Sequence, residues 1–134
     1  MFILGTSSLA EYAAAPRPAS TTFTPALAKM LCMAARAAHD VGVPVGIAGR
    51  YASRLELLPF YLGLGISHIA VYSYQTLRLR LEMARLCSGT LRPRFDPLLY
   101  SRVMHLFSGH ELTELLSELS LQGITPAPRA GGAG

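Results

Sequence analysis

The sequence has no tryptophan and little charge: 15% of its 134 residues are Asp, Glu, Lys or Arg, against about a quarter in an average soluble domain. With 51% of residues apolar, the surface is thinly supplied with charge, and part of the apolar surface is expected to seek a partner. There are two cysteines, Cys32 and Cys87, and Met1 opens straight into Phe2-Ile3-Leu4 without a basic segment. No secretory signal is read there, and reduced thiols in the cytoplasm are the expectation. His39, His68, His105 and His110 show no ligand spacing with one another or with the cysteines, so no structural metal is expected. His39, at the end of a helix, is explained by the helix dipole. Walker and dinucleotide-binding loops are absent. A Ser8, His68, Asp40 triad can be drawn on paper, but no nucleophile-elbow motif supports it.

Charge is missing altogether from residues 57 to 74, a length that would span a membrane. Pro59, Gly63, Gly65 and His68 interrupt the run, and its pattern changes midway from helical to strand-like. A helix, a glycine turn and a buried parallel strand fit better than a membrane span. Twelve Lys and Arg against eight Asp and Glu leave a net charge of +4. Arg78, Arg80, Arg85, Arg92, Arg94 and Arg102 crowd one stretch, which could face phosphate or acidic protein. No aromatic platform is interleaved, so a solvated helix face with Glu82 and Asp96 is the better reading, and no nucleic-acid partner is expected.

The elements follow from local signals. Phe2-Ile3-Leu4 reads as a short strand ending at Gly5-Thr6-Ser7-Ser8, followed by a Pro/Ala/Ser-rich loop from Ala13 to Thr22. Thr24 caps a helix with Pro25 at its first position; Leu27, Met30, Leu31, Ala34, Ala35 and Ala38 recur at helical spacing until Gly42. Val43 to Ile47 is a strand, and Ser53-x-x-Glu56 is a capping box for a second helix ending at Gly63-Leu64-Gly65. Ile66 to Tyr72 is the third strand. Further helices run from about Thr76 to Leu86, from Asp96-Pro97, and from a second capping box at Ser108-x-x-Glu111. Met30, Met33 and Met83 are read as core filler. The order β-α-β-α-β-α-α-α demands parallel strands joined by right-handed crossovers, an α/β fold. The segment from Thr125 to Gly134 is Pro/Ala/Gly-rich and is expected to be disordered.

Ligands of parallel α/β structures collect at the carboxyl ends of the strands. Topology therefore nominates three loops on one rim: Thr6-Ser7-Ser8, Ala48-Gly49-Arg50 and Ser73-Tyr74-Gln75. Hydroxyls and backbone N–H groups of the first loop could hold an anion, with Arg50 or Arg17 neutralising a phosphate or carboxylate. The same residues fit a plain strand-to-loop turn and a surface ion pair.

At these loops the sequence resembles enzyme I of the bacterial sugar phosphotransferase system, the phosphoenolpyruvate–protein phosphotransferase family. That family reads G-T-N-D-L-x-Q-Y, H-P-A, G-M-C-G-E-x-A and L-P-L-L-L-G-L-G in order. The matching stretches are Gly5 to Tyr12, Thr24-Pro25-Ala26, Gly46 to Ala52, and Leu58 to Gly65, with agreeing spacings. By motifs the resemblance runs from Phe2 to about Arg80, and more loosely to Leu121. It implies that residues 1–121 are the C-terminal portion of a phosphoenolpyruvate-utilising (βα)8 (TIM) barrel, about three βα units plus extra helices, with 122–134 a tail.

The resemblance also implies a chemistry. Such a barrel binds phosphoenolpyruvate with Mg2+, a histidine on a separate domain takes the phosphoryl group for a phosphocarrier protein, and a cysteine protonates the enolate left behind. Substrate-binding positions map to Ser7, Ser8, Gly49 and Arg50, and to Arg17 with a one-residue shift. The pattern then departs from the family. Its metal-binding Asp falls at Ser8, a much poorer Mg2+ ligand, and its acid Cys falls at Ala48, which has no proton to give. Three strands also leave a barrel open. The isolated chain is expected to lack turnover and to bind no Mg2+. The alternative is a non-catalytic module docking on a full-length homologue or on a second copy.

Overall fold

The structure, a computed structural model, describes residues 1–6, 23–87 and 93–124. The long first loop with Ser7, Ser8 and Arg17, the Gly89 turn and the segment from Thr125 lie outside the described residues.

Strand β1 (Phe2–Gly5) is followed by helix α1 (Pro25–Asp40), β2 (Val45–Ala48), a 3-10 turn (Leu55–Leu57) running into α2 (Leu58–Gly63), and β3 (Ile66–Ile69). A second 3-10 turn (Ser73–Gln75) leads into α3 (Thr76–Cys87), and α4 (Pro97–Met104) and α5 (Gly109–Ile124) complete the order. The strands form one parallel sheet in the order β1-β2-β3, with Leu4 opposite Ile47 and Ile47 opposite Ile69. This is the α/β arrangement expected from the alternation of strand and helix signals.

Leu4, Val45, Ile47 and Ile66 face the helix-covered core; a bulge in β3 opposite the Val45–Gly46 step turns His68 to the other face, where it stays exposed with Ile3. Helix α1 begins where Thr24 Oγ1 accepts from Leu27 N at 3.2 Å, and it buries Leu27, Ala28, Leu31, Cys32, Ala35 and Ala38. Met33 corrects the core-filler reading: it is 55% exposed, because Ala28 and Cys32 take the inward positions beside Leu31 and Ala35. Phe23 packs on Tyr51 and, edge-on, on Phe60 at centroid distances of 5.8 and 5.7 Å.

Two further expectations are corrected. The Ser53-x-x-Glu56 capping box does not form; Arg54 stands at the N-cap position without a side-chain cap bond, and Glu56 accepts from Arg54 Nε at 2.7 Å. A charge-assisted bond outcompetes a neutral cap. The third strand ends at Ile69, short of Tyr72, because β2 stops at Ala48; only Ala70 N continues the pairing, to Ile47 O at 2.9 Å. The box at Ser108 does form, reaching one residue further than the standard pattern: Ser108 Oγ accepts from Glu111 N and Glu111 accepts from Phe107 N, both at 3.3 Å. At α4, Asp96 Oδ1 accepts from Leu98 N at 2.9 Å. The end of α2 is closed by the segment before α4, where Arg94 N and Asp96 N donate to the carbonyls of Leu62 and Gly63 at 3.0 and 2.8 Å, Leu62 O also accepting from Gly65 N at 3.0 Å.

Candidate functional site

Parallel strands place all their carboxyl ends on one edge, and there the sheet opens into a cavity of about 540 Å³. Its walls are Gly49, Arg50 and Ser53 after β2, and Ala70, Val71, Tyr72 and Gln75 after β3. The turn after β2 depends on Gly49, whose φ of +99° is reached by residues with a β-carbon only under strain. It swings the chain back so that Ala52 N donates to Gly49 O at 3.1 Å.

Thr6 fixes this turn from the neighbouring strand. Its buried hydroxyl donates to Ala48 O at 2.7 Å and accepts from Tyr51 N at 3.2 Å. Tyr61 holds the other side, its hydroxyl donating to Tyr51 O at 2.7 Å. Burial pushes the Tyr61 phenol far above its ordinary range, so it stays a protonated donor. The Arg54 guanidinium lies over the Tyr51 ring, 5.6 Å from its centroid. After β3, Gln75 Oε1 accepts from Tyr72 N at 3.2 Å while Gln75 N donates to Tyr72 O at 2.9 Å, so the third loop is braced on itself.

Of the residues nominated from the sequence, Gly49, Arg50 and Gln75 line the cavity, and Ala48, the last residue of β2, directly precedes Gly49. Thr6 stands on the same rim, but its hydroxyl is spent on the Ala48 and Tyr51 backbone, so it braces the turn and does not face a ligand. Ser7, Ser8 and Arg17 lie outside the described residues. Ser53 and Tyr72 were not foreseen as lining residues. Ser53 carries the spacing of a cap, and the signal for Tyr72 is the Tyr72-x-Tyr74 spacing after an apolar strand; these two rings stack at 5.8 Å and 7°. Of the paper triad, Ser8 lies outside the described residues, His68 Nδ1 is 2.8 Å from Ser67 Oγ, and Asp40 pairs with Arg36 at 3.8 Å.

The cavity suits an anion more than a cation. None of its described lining residues carries a carboxylate, and Arg50 brings positive charge, so the described residues do not fit a magnesium ion. Among the described residues no cluster of three or more His, Cys, Asp or Glu could hold a metal. Nor is any described helix long and apolar enough to cross a membrane.

Fold and rim together define a parallel α/β unit of the kind that gathers a ligand at its strand ends. The family described as PEP-utilising enzyme, PEP-binding domain, matches residues 9–87, and the chain belongs to that family. The phosphoenolpyruvate-protein phosphotransferase of Chlamydia pneumoniae is 33% identical over 90 residues, covering 62% of this chain and 16% of that protein. The enzyme of the same name from Priestia megaterium is 29% identical over 105 residues, 73% of this chain and 18% of that protein. The chain thus spans less than a fifth of these relatives' length. No solved structure gives a significant match.

Proposed function

We propose that this chain forms one arc of a phosphoenolpyruvate-binding (βα)8 barrel, descended from enzymes that pass the phosphoryl group to a phosphocarrier protein in sugar uptake. On its own it binds the anion without turning it over. The observation that carries the reading is the rim cavity holding Arg50 at the carboxyl ends of β2 and β3. A guanidinium can grip a phosphate or carboxylate through two parallel N–H donors, and the Gly49 turn brings backbone close to the same space. By the resemblance, Ser7, Ser8 and Arg17 are further anion-binding positions, and they lie outside the described residues.

Several features argue against turnover. Ala48 offers no proton where the resembled family has its acid, Ser8 replaces the family's metal-binding Asp, and no described lining residue would hold Mg2+. The barrel reading is supported by the sheet's two unlike faces: one is covered by helices, while Ile3 and His68 on the other remain exposed, as residues pointing into an unclosed barrel would be.

The test is a titration of the isotope-labelled chain with phosphoenolpyruvate, with and without Mg2+, followed by amide chemical shifts. Shifts are expected at Gly49, Arg50 and Gln75, unchanged by Mg2+ and lost in Arg50→Ala. Silence of these amides at millimolar ligand would sink the reading. Pyruvate release in the presence of a phosphocarrier should stay at background, also after Ser8→Asp with Ala48→Cys; recovered turnover would overturn the account of the chain as an incomplete site.

A second reading is favoured by the edge strand. Phe2 and Ile3 of β1 are 52% and 55% exposed, and β1 pairs only with β2 among the described strands. Such an edge invites pairing, so docking on a full-length relative is the alternative. Co-elution of the two in size-exclusion chromatography would support it.

A further inference from the structure

Helix α3 is apolar on two faces. Leu79 and Leu86 are buried, with Met83 partly buried between them, and this line fastens the helix to the core. On the opposite side Leu77 is 70% exposed, Leu81 is 64% exposed, and Ala84 is exposed as well. Steps of four and then three residues set these side chains in one line along a helix, about half a turn away from the buried line. Tyr74, 78% exposed, continues it three residues upstream in the 3-10 turn that leads into α3. One apolar stripe is enough to seat a surface helix on its own domain. A second, at alternating three- and four-residue spacing, has the form of a seam for another helix.

The charges beside the seam say what fits it. At helical spacing Arg78 lies on one flank and Arg80 on the other, and both are exposed. No carboxylate among the described residues pairs with either, since the acidic groups that form ion pairs there are engaged by other basic residues. Glu82, the one acidic residue of α3, is held by Arg85, whose Nε donates to it at 3.0 Å. Three arginines against one glutamate leave the helix net positive.

We propose that this outer face of α3 docks an amphipathic helix of a partner protein whose own apolar line is flanked by Glu and Asp. The inference stands apart from the anion-binding rim and does not depend on it. A second copy fits less well, because it would set one net-positive helix against another in a chain already carrying +4. A membrane surface fits less well too. Two leucines and an alanine make a seam one side chain wide, suited to knobs-into-holes packing, whereas an interfacial helix buries a broad apolar face.

Fluorescence anisotropy of the full chain with two labelled three-heptad peptides tests this. Both carry Leu along the apolar line, one with Glu and the other with Lys at the flanking positions. The Glu peptide should bind at least about tenfold more tightly than the Lys peptide, since like charges across an interface are strongly disfavoured. Leu81→Asp should abolish binding, and Arg78→Glu with Arg80→Glu should invert the preference. All three side chains are exposed, so the circular dichroism spectrum serves as a fold control that should not change. Equal affinity for both peptides, no saturable binding of either, or a preference that survives the double charge reversal would overturn the proposal. So would concentration-dependent self-association abolished by Leu81→Asp, or tight capture by phosphatidylserine vesicles with no preference between peptides.

Discussion

Thr6 shows how one hydroxyl can set the geometry of a rim. It is fully buried and joins two strands' ends by bonding both Ala48 O and Tyr51 N. Thr6→Val keeps the shape and removes the hydroxyl's bonds to both Ala48 O and Tyr51 N. The expected loss is about 1–3 kcal/mol of unfolding free energy, read from the urea midpoint at constant slope. A loss below the error of that measurement would mean that water or a shift of the turn replaces the hydroxyl. In the sequence Thr6 looks like one more polar residue of Gly5-Thr6-Ser7-Ser8, available to an anion. Nothing local distinguishes a hydroxyl that faces a ligand from one that faces a neighbouring carbonyl, because the carbonyl is 42 residues away. Gly49 and Arg50 could be nominated because their position after a strand already places them on the rim. Ser53 and Tyr72 could not, since the path of each loop decides which side chains turn inward.

Among the elements, the short helix α2 depends most on its ends. It has six residues, and its last carbonyls are closed by Arg94 N and Asp96 N from across the chain. Gly65, just beyond, has φ +75°, and an added β-carbon there would come within 2.9 Å of Phe95 N. Gly65→Ala therefore meets both a left-handed backbone and an approaching strand segment. Destabilisation of about 2–4 kcal/mol is expected, measured by thermal or urea unfolding, with the loss exceeding the 1–2 kcal/mol of the left-handed conformation alone. A stability equal to the parent's would show that the Phe95 segment can move aside at no cost. The sequence marks Gly63-Leu64-Gly65 as a helix end, and it is one; that Leu64 pairs with Phe95 is invisible there, because the contact is tertiary. Helix starts divide in the same way. Thr24, Asp96 and Ser108 cap as their motifs suggest. Glu56 fails to close its box because Arg54, two residues away, binds it first.

Over the whole molecule, the buried ionisable groups tie stability to pH. Burial pushes the Cys32 thiol up to about 12 from an ordinary 9.0, and it raises the Tyr61 phenol as well. Both folded-state values lie above the unfolded ones. Their contribution is fully present below about pH 9 and falls as pH rises from there towards 12, because the unfolded chain releases protons that the folded chain keeps. Urea midpoints should hold between pH 7 and 8.5 and decline above pH 9, and Cys32→Ala should flatten the first part of that decline. A midpoint that rises through the same range would contradict the burial of these groups. Sequence alone determined that the chain is α/β, that its strands are parallel, and which strand ends form the rim, because periodicity, caps and crossover handedness are local or topological constraints. It also carries the motifs that resemble the family. Only the tertiary structure decided that Thr6 braces the turn, that Met33 faces outward, that Ser53 and Tyr72 line the cavity, and that α3 keeps a second apolar line exposed. Each of these depends on which distant residues reach the shared space first, and pattern along the chain does not encode that competition.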